Sequence, residues 1–310
     1  MKITLRQLEI YSAVARHLSY TRASEALHLT QPAVSMQVRQ LEEAVEMPLI
    51  EQVGKRIFLT DAGKEMVHYA KSILGSLAEA EQVFQKMRGL EGGRLRLSVA
   101  STANYFVPTI LANFCQQYPK IKISLDVTNR EGLLEALTDN SVDLVIMGKP
   151  PDSIDLVSEK FMKNPLVLIA PPTHHLAKER KIPLKQLQKE TFLVREPGSG
   201  TRTAIEKFLK VHKVELTSTM EMSTSEAIKQ GIEAGLGLGL LSLHTLGMEL
   251  ELGRLTILDG ENLPIIRDWY ITYRQGKRLS LAAEKFRGFV LQEAVAFLEL
   301  PELPDFKDNK

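Results

Sequence analysis

The first sixty residues contain three short stretches in which apolar residues recur at helical spacing. The apolar residues of the first stretch are Leu5, Leu8, Tyr11, Ala15 and Leu18. This spacing predicts an amphipathic helix that ends near Leu18. A second helix is expected with Thr21 as its N-cap. A third is expected to begin at Thr30, with Pro32 in its first turn, where proline is tolerated because that amide has no intrahelical partner. Three helices with tight joints are typical of a helix-turn-helix.

The third predicted helix has one apolar and one polar face. Its apolar residues are Val34, Val38, Leu41 and Val45. The amino-terminal residues of a recognition helix reach the bases, so Gln31, Ser35 and Met36 are candidates for base readout, with Gln37 at the margin. An ordinary solvated helix face is the alternative. Residues 1–41 carry five basic and two acidic side chains, which favours contact with phosphates.

Between Leu49 and Thr60 the pattern changes from helical to alternating, which predicts a small hairpin, or wing. Its tip contains Gly54, Lys55 and Arg56. The two basic side chains are expected to contact the DNA backbone or minor groove, with an exposed basic turn as the alternative. The candidate DNA-binding residues are Arg22, Thr30, Gln31, Pro32, Ser35, Met36, Gln37, Arg39, Lys55 and Arg56.

A long helix is predicted from Asp61 to about Arg88. Its apolar positions follow a heptad spacing: Met66, Ala70, Ile73, Leu77, Ala80, Phe84 and Met87. Such a seam marks a helix that pairs with another helix. A homodimer would present two recognition helices to a pseudo-palindromic site. The alternative is that the seam packs within its own chain.

After Gly92 and Gly93 the sequence alternates strands with helices, which predicts α/β layers. The predicted strands are 94–100, 123–128, 143–147, 166–170, 191–195, 217–222, 237–242 and 269–274. Ligands of open α/β sheets bind beyond the carboxyl ends of strands, where helix amino termini point. Four such ends are followed by polar residues, so we expect a ligand cleft there.

The chemistry of this predicted cleft favours an anion, with a phosphorylated one as the leading candidate. Gly198 and Gly200 let backbone amides approach a ligand, and Arg130 and Arg195 supply positive charge. As alternatives, the hydroxyls serve only as helix caps, and Arg195 and Arg202 pair with neighbouring glutamates. The candidate effector-binding residues are Ser101, Thr102, Asn104, Asn129, Arg130, Met147, Arg195, Ser199, Gly200, Thr201, Arg202, Thr224 and Ser225.

Composition narrows the class of protein. Of 310 residues, 39 are basic and 38 acidic, which excludes a globally basic nucleic-acid coat. One cysteine, Cys115, excludes an intramolecular disulfide and a multi-cysteine zinc site. The longest uncharged stretch, Leu97–Pro119, is too polar to span a bilayer, and no signal peptide is visible. These two observations predict a cytoplasmic location. Because no phosphate loop, nucleophile elbow or metal-ligand spacing occurs, we expect neither an enzyme nor a cofactor or metal.

These segments resemble the LysR-type transcriptional regulators. Residues 5–60, including Ala23-Ser24-Glu25-Ala26-Leu27 and Thr30-Gln31-Pro32-Ala33-Val34-Ser35, are similar to the winged helix-turn-helix of that family. The segments at 100–106, 129–130, 147–151 and 195–202 are similar to the branch that regulates RuBisCO and other carbon-fixation operons. Many family members carry a basic residue where Met36 stands, so the contact made at that position cannot be transferred.

The resemblance implies a winged helix-turn-helix at 1–60, a linker and dimerisation helix at 61–92, an effector-binding domain at 93–300 and a tail at 301–310. It divides the effector-binding domain into two α/β subdomains of the periplasmic-binding-protein type. Subdomain I takes 93–165 and 265–300, and subdomain II takes 166–264. Two crossing strands are expected to form the hinge.

The predicted function is therefore that of a DNA-binding transcriptional regulator. The resemblance implies that the protein binds promoter DNA, a second copy of itself and a small effector. It also implies a tetramer built from two dimers. RNA polymerase is a further candidate partner. The effector is expected to be a phosphorylated metabolite or a reduced pyridine nucleotide, and the targets carbon-fixation genes. The alternatives are a LysR-type regulator of nitrogen, sulfur or aromatic-catabolism genes, and a solute-binding α/β protein without DNA function.

Overall fold

The protein is described here from a computed structural model, which covers residues 2–54, 56–87, 93–304 and 306. The side chains of residues 82, 83 and 85–87 are not included. The predictions for Lys55, for the side chain of Met87 and for part of the tail thus lie outside the described residues. The chain divides into two units: one holds the residues before 91 together with Ala136–Val142, and the other holds the remainder.

The first unit opens with three helices: α1 (Leu5–His17), α2 (Tyr20–Leu27) and α3 (Gln31–Val45). A capping box between Thr4 and Gln7 begins α1, and Leu18 ends it in the left-handed conformation. The predicted N-cap of α2, Thr21, is wrong. Because the chain reverses directly at Leu18, the next residue, Ser19, is already extended and accepts a hydrogen bond from the Arg22 amide at 3.3 Å. The predicted start of α3 after Thr30 is confirmed.

A hairpin and a long helix complete this unit. Strands β1 (Ile50–Val53) and β2 (Arg56–Leu59) pair antiparallel, as predicted, and α4 spans Asp61–Met87. The core contains Leu8, Ile10, Tyr11, Val14, Ala23, Val34, Val38, Leu41, Leu49 and Ala70. The buried Tyr11 hydroxyl donates to the Gly63 carbonyl at 2.9 Å, so α1 and α4 are joined by a hydrogen bond as well as by packing.

The second unit contains two five-stranded sheets. The strands are β3 (Gly93–Ala100), β4 (Ile121–Thr128), β5 (Leu144–Met147), β6 (Leu156–Lys163), β7 (Leu166–Ala170), β8 (Thr191–Arg195), β9 (Ser218–Met222), β10 (Leu238–Ser242), β11 (Thr256–Ile257) and β12 (Asp268–Arg274). The first sheet has the order β4-β3-β5-β12-β6 and the second the order β11-β7-β10-β8-β9. The predicted combination of a helix-turn-helix with α/β layers is thus confirmed.

The helices of this unit follow the strands. They are α5 (Val107–Gln117), α6 (Arg130–Thr138), α7 (Leu184–Leu187), α8 (Gly200–Val211), α9 (Ser225–Glu233), α10 (Gly247–Glu251) and α11 (Leu281–Gln292). The end of α6, from Ala136 on, belongs to the first unit. A core that includes Phe114, Phe286 and Trp269 packs against the first sheet. Two apolar clusters contain strands of the second sheet. No described helix has the length and apolar character that a membrane span requires.

All eight predicted strands are present, but β6 and β11 were not predicted. β6 contains Glu159 and Lys160 among its apolar residues and lies at the edge of its sheet, where one neighbour suffices, so it lacks the strong apolar run of a central strand. β11 has only two residues.

The direction of the strands decides which residues meet. β3, β4 and β5 are parallel, so their carboxyl ends lie at one edge of the first sheet. β12 is antiparallel to β5, with Tyr270 opposite Met147, so the amino end of β12 lies at that same edge. In the second sheet β8 is parallel to β9 and β10.

Candidate functional site

A cavity of about 650 Å³ lies at this edge of the first sheet and extends to the amino end of α8. Nine of the predicted effector-binding residues line it: Ser101, Thr102, Asn129, Arg130, Met147, Arg195, Ser199, Gly200 and Thr201. Its volume is that of a typical small-molecule site. The cavity is therefore the candidate effector site.

The segment between β8 and α8 approaches the amino end of α6 closely. Gly198 has a φ of +82°, and a Cβ there would lie 2.8 Å from the Glu131 carboxylate. Ser199 is the N-cap of α8, and its hydroxyl accepts a hydrogen bond from the Thr201 amide at 3.3 Å. A side chain at Gly198 would be strained and crowded, so glycine permits this close approach.

Arg195 is buried, and four of its five N–H donors form hydrogen bonds within the protein. Its guanidinium donates to both oxygens of Glu196 at 2.7 and 2.8 Å. It also donates to the Ser225 hydroxyl and to the Ser101 hydroxyl, each at 3.2 Å. The sequence left open whether Arg195 binds a ligand or forms a structural pair, and the geometry favours a structural pair that also ties two polar loops together.

Four predicted effector residues do not line the cavity. Arg202 pairs with Glu206 at 2.8 Å and with Glu221 at 2.7 Å, because both carboxylates lie within reach on α8 and β9. Thr224 caps α9, Ser225 accepts from Arg195, and Asn104 is exposed in a short 3₁₀ turn. These four residues are therefore not among those that the structure brings to the cavity.

Sequence reasoning missed Arg267, which lines the cavity. One guanidinium nitrogen donates to the Gly200 carbonyl at 3.1 Å and another to the Thr201 hydroxyl at 3.2 Å. The Nε atom is buried and has no hydrogen-bond partner. The rule that ligands bind at the carboxyl ends of strands could not find this residue, since it precedes a strand. Only the antiparallel direction of β12 brings it to the site.

Positive charge accumulates in the cavity. Burial, together with the nearby Arg130 and Arg195, lowers the pKa of Arg267 to about 10. Burial also lowers the pKa of Arg130, which donates to the Lys149 carbonyl at 2.7 Å. Both shifts report that these guanidinium charges lack full solvation. An anion bound in the cavity would stabilise these charges in place of the missing water.

A buried histidine supports the cavity wall from behind. Trp269, which lines the cavity, donates its indole N–H to Nδ1 of His244 at 3.0 Å. Burial and the charge of Arg267 lower the pKa of His244 to about 4. His244 is therefore neutral near pH 7 and accepts the indole hydrogen bond.

The candidate DNA-binding residues lie mostly on exposed surfaces of the first unit. Gln31, Pro32, Met36 and Arg39 are exposed on α3, Ser35 and Gln37 are half-buried, and Thr30, Arg22 and Arg56 are exposed on neighbouring segments. The Thr30 side chain makes no capping hydrogen bond. Arg39 pairs with Glu43 at 3.2 Å, but both side chains are exposed, so the pair contributes little to stability. The guanidinium can therefore exchange Glu43 for another anion.

The predicted heptad seam of α4 has two parts. Ala70 is fully buried in the core of its own unit and Met66 packs against that core, so these two residues pair internally. Ile73, Leu77, Ala80 and Phe84 are exposed. The exposed seam, defined by these four residues, keeps the spacing that a partner helix requires.

His174, His175 and Glu190 lie close enough together to be considered as metal ligands. However, Nδ1 of His174 accepts a hydrogen bond from the Leu176 amide at 3.3 Å. In the neutral ring this places the proton on Nε2, the atom facing Glu190 at 3.6 Å. A metal ion would need that lone pair free, so the cluster is arranged for hydrogen bonding.

Two parts of the chain match known protein families. Residues 5–64 match the bacterial regulatory helix-turn-helix proteins of the lysR family, and residues 88–295 match the LysR substrate binding domain. A RuBisCO operon transcriptional regulator of Allochromatium vinosum is 53% identical over 294 residues, covering 95% of this chain and 97% of the relative.

Two solved structures are also similar. The regulatory domain of CcmR from Synechocystis PCC6803, in complex with 2-PG, is 44% identical with a TM-score of 0.62, covering 64% of this chain and 96% of that one. Full-length CbnR in complex with its target DNA has a TM-score of 0.68 at 18% identity, covering 94% and 100%. The latter likeness concerns the fold alone.

The low pKa of His244 gives a pH test of the cavity wall. An unfolded histidine takes up its proton near pH 6.5, whereas folded His244 does so only near pH 4. The free energy of unfolding therefore holds its full value above pH 6.5 and falls by up to about 3 kcal/mol as the pH drops to 4. The test is His244→Gln, whose amide oxygen can still accept from Trp269. Its free energy of unfolding, measured by denaturant titration at pH 7 and 4.5, should no longer show the fall that His244 causes. His175→Gln, at an exposed position, serves as control, and an unchanged pH dependence in His244→Gln would contradict the assignment.

Proposed function

Because the chain belongs to the LysR family of bacterial regulatory proteins, we propose that it controls carbon-fixation genes from promoter DNA in response to a small phosphorylated anion. Members of this family are transcriptional regulators and not enzymes. The proposal is carried by one observation: a single chain combines an exposed polar face on α3 with a cavity lined by three arginines. A DNA-bound regulator acts in the cytoplasm.

The DNA-reading surface that we propose is the amino-terminal half of α3. Gln31, Ser35 and Met36 contact base edges, with Gln37, Pro32 and the exposed Thr30 beside them. The guanidinium groups of Arg22, Arg39 and Arg56 contact phosphates, and Lys55 stays a predicted contact. Side chains at base edges carry sequence specificity, whereas those on phosphates carry salt-dependent affinity.

The exposed seam of α4 supports a homodimer. Its four apolar side chains are exposed in heptad register, and a second α4 can cover them, because burial of apolar area drives such pairing. The dimer presents two α3 helices to a pseudo-palindromic site. A tetramer of two such dimers is the assembly that we propose on the promoter, where RNA polymerase is a further candidate partner.

The effector that we propose is a phosphorylated metabolite of the 2-phosphoglycolate type. The CcmR regulatory domain, which is 44% identical, was solved with 2-PG. The cavity supplies arginines, hydroxyls and an Asn129 amide, all of which suit phosphate oxygens. We propose an effector of this class in preference to the other candidate, a reduced pyridine nucleotide.

The cavity also suggests how the effector acts. It lies between two groups of residues that we propose as subdomains: 93–165 with 265–300, and 166–264. Ser101 of the first group and Arg195 of the second are hydrogen-bonded across it at 3.2 Å. An effector changes the equilibrium between open and closed subdomains only as far as it binds one arrangement better than the other.

Base readout by α3 is tested by Gln31→Ala. Loss of a side chain that bonds a base edge should weaken specific DNA binding by about 1–3 kcal/mol while sparing binding to random DNA. The control is Gln40→Ala, because Gln40 is exposed on the same helix but lies nine residues further on, outside the amino-terminal half that we propose for base readout. Both affinities are measured by fluorescence anisotropy. An equal loss on random DNA would place Gln31 on a phosphate.

The dimer is tested by Leu77→Glu. A carboxylate buried in the seam without a partner costs several kcal/mol, so the variant should sediment as a species of half the wild-type mass. Leu252→Glu, at an exposed leucine of the other unit, should leave the mass unchanged. If Leu77→Glu sediments like the wild type, α4 does not form the interface.

A further inference from the structure

We infer that Arg267 is the residue that selects a doubly charged anion, such as a phosphate monoester, over a singly charged carboxylate in this cavity. The inference rests on the proposed function, since it concerns the ligand of the same site. It assigns to one residue a role in ligand choice that neither sequence patterns nor the family matches assign.

The hydrogen bonds of Arg267 leave its Nε atom without a partner among the described residues. Two of its nitrogens donate to Gly200 and Thr201, which fixes the plane of the guanidinium at the first turn of α8. The Nε atom is shielded from solvent and bonds nothing in the part of the chain that the structure describes. A buried donor without a partner destabilises the ligand-free protein. Each terminal nitrogen of the guanidinium also keeps a second N–H that the bonds to Gly200 and Thr201 leave unused, and a ligand oxygen in the cavity can accept from it.

The charge of Arg267 is also left without compensation. Arg195 has its own carboxylate, Glu196, and the neighbouring Asp268 pairs with Lys160 at 2.8 Å. Among the described residues, neither Arg267 nor Arg130 forms an ion pair. Arg195 thus holds the loops, while Arg130 and Arg267 provide the charge that a ligand can neutralise.

Two unpaired guanidinium groups favour a ligand with two negative charges. Both arginines lie next to Gly200. Its carbonyl accepts a hydrogen bond from Arg267, and a Cβ at that glycine would lie 3.6 Å from Cδ of Arg130. A phosphate monoester carries nearly two charges at pH 7 and three acceptor oxygens. A carboxylate carries one charge and would leave one guanidinium unneutralised.

This assignment predicts effects of opposite sign on stability and on binding. In Arg267→Met the aliphatic stem remains, but the unneutralised charge and the free donor are gone. The ligand-free variant should therefore melt about 2–4 °C above the wild type. A residue whose role is only to brace α8 would lower the melting temperature when removed.

The experiment uses the full chain and compares wild type, Arg267→Met, Arg267→Lys and the control Arg254→Gln, an exposed arginine paired with Glu233. Melting temperatures and calorimetric affinities are measured with 2-phosphoglycolate, inorganic phosphate and glycolate. Arg267→Met should bind 2-phosphoglycolate about 10- to 100-fold more weakly than the wild type. Arg267→Lys should fall between them, and Arg254→Gln should match the wild type.

The outcomes separate this inference from the proposed function. If 2-phosphoglycolate binds the wild type and Arg267→Met equally well, the effector class stands and the role of Arg267 is wrong. If inorganic phosphate stabilises the wild type but not Arg267→Met, while 2-phosphoglycolate does not bind, the role stands and the proposed effector fails. The inference is overturned if ligand-free Arg267→Met melts below the wild type. It is also overturned if the wild type binds glycolate as tightly as inorganic phosphate.

Discussion

The reversed direction of β12 between β5 and β6 governs the chemistry of the effector cavity. Parallel strands alone would bring only their carboxyl ends to this edge of the sheet, with Ser101, Asn129 and Gly148 after them. Because β12 is antiparallel, the residue before it is brought to the same edge, and that residue is Arg267. The cavity thereby gains a guanidinium that no neighbouring carboxylate among the described residues neutralises. Its preference for an anion follows from strand topology as much as from composition.

The helix-turn-helix was predictable from sequence because its signals are local. A proline in the first turn and apolar residues every third or fourth position define α3, and these do not depend on distant contacts. The apolar strands were predictable for the same reason. β6 was not, since a charged edge strand is identified only by its neighbour, β12.

The binding residues were predictable only in part, because side-chain partners come from distant segments. Nothing in the sequence near Arg202 indicates that Glu221 lies 2.7 Å away, and nothing near Ala70 distinguishes a seam position from a core position. Both kinds of position follow the same heptad spacing, but α1 packs against the first turns of α4, whereas Ile73, Leu77 and Phe84 are exposed. Such outcomes depend on how the elements pack, which periodicity does not encode.

DNA and effector are linked in this account by thermodynamics. If the effector changes the affinity for promoter DNA, then DNA must change the affinity for the effector by the same factor. The most direct test is a calorimetric titration of 2-phosphoglycolate into the full chain, alone and saturated with DNA that the chain itself selects from a random pool. The account predicts binding in both cases with dissociation constants that differ at least severalfold. Equal constants would contradict it, because the cavity would then hold a ligand that has no effect on the DNA-binding state.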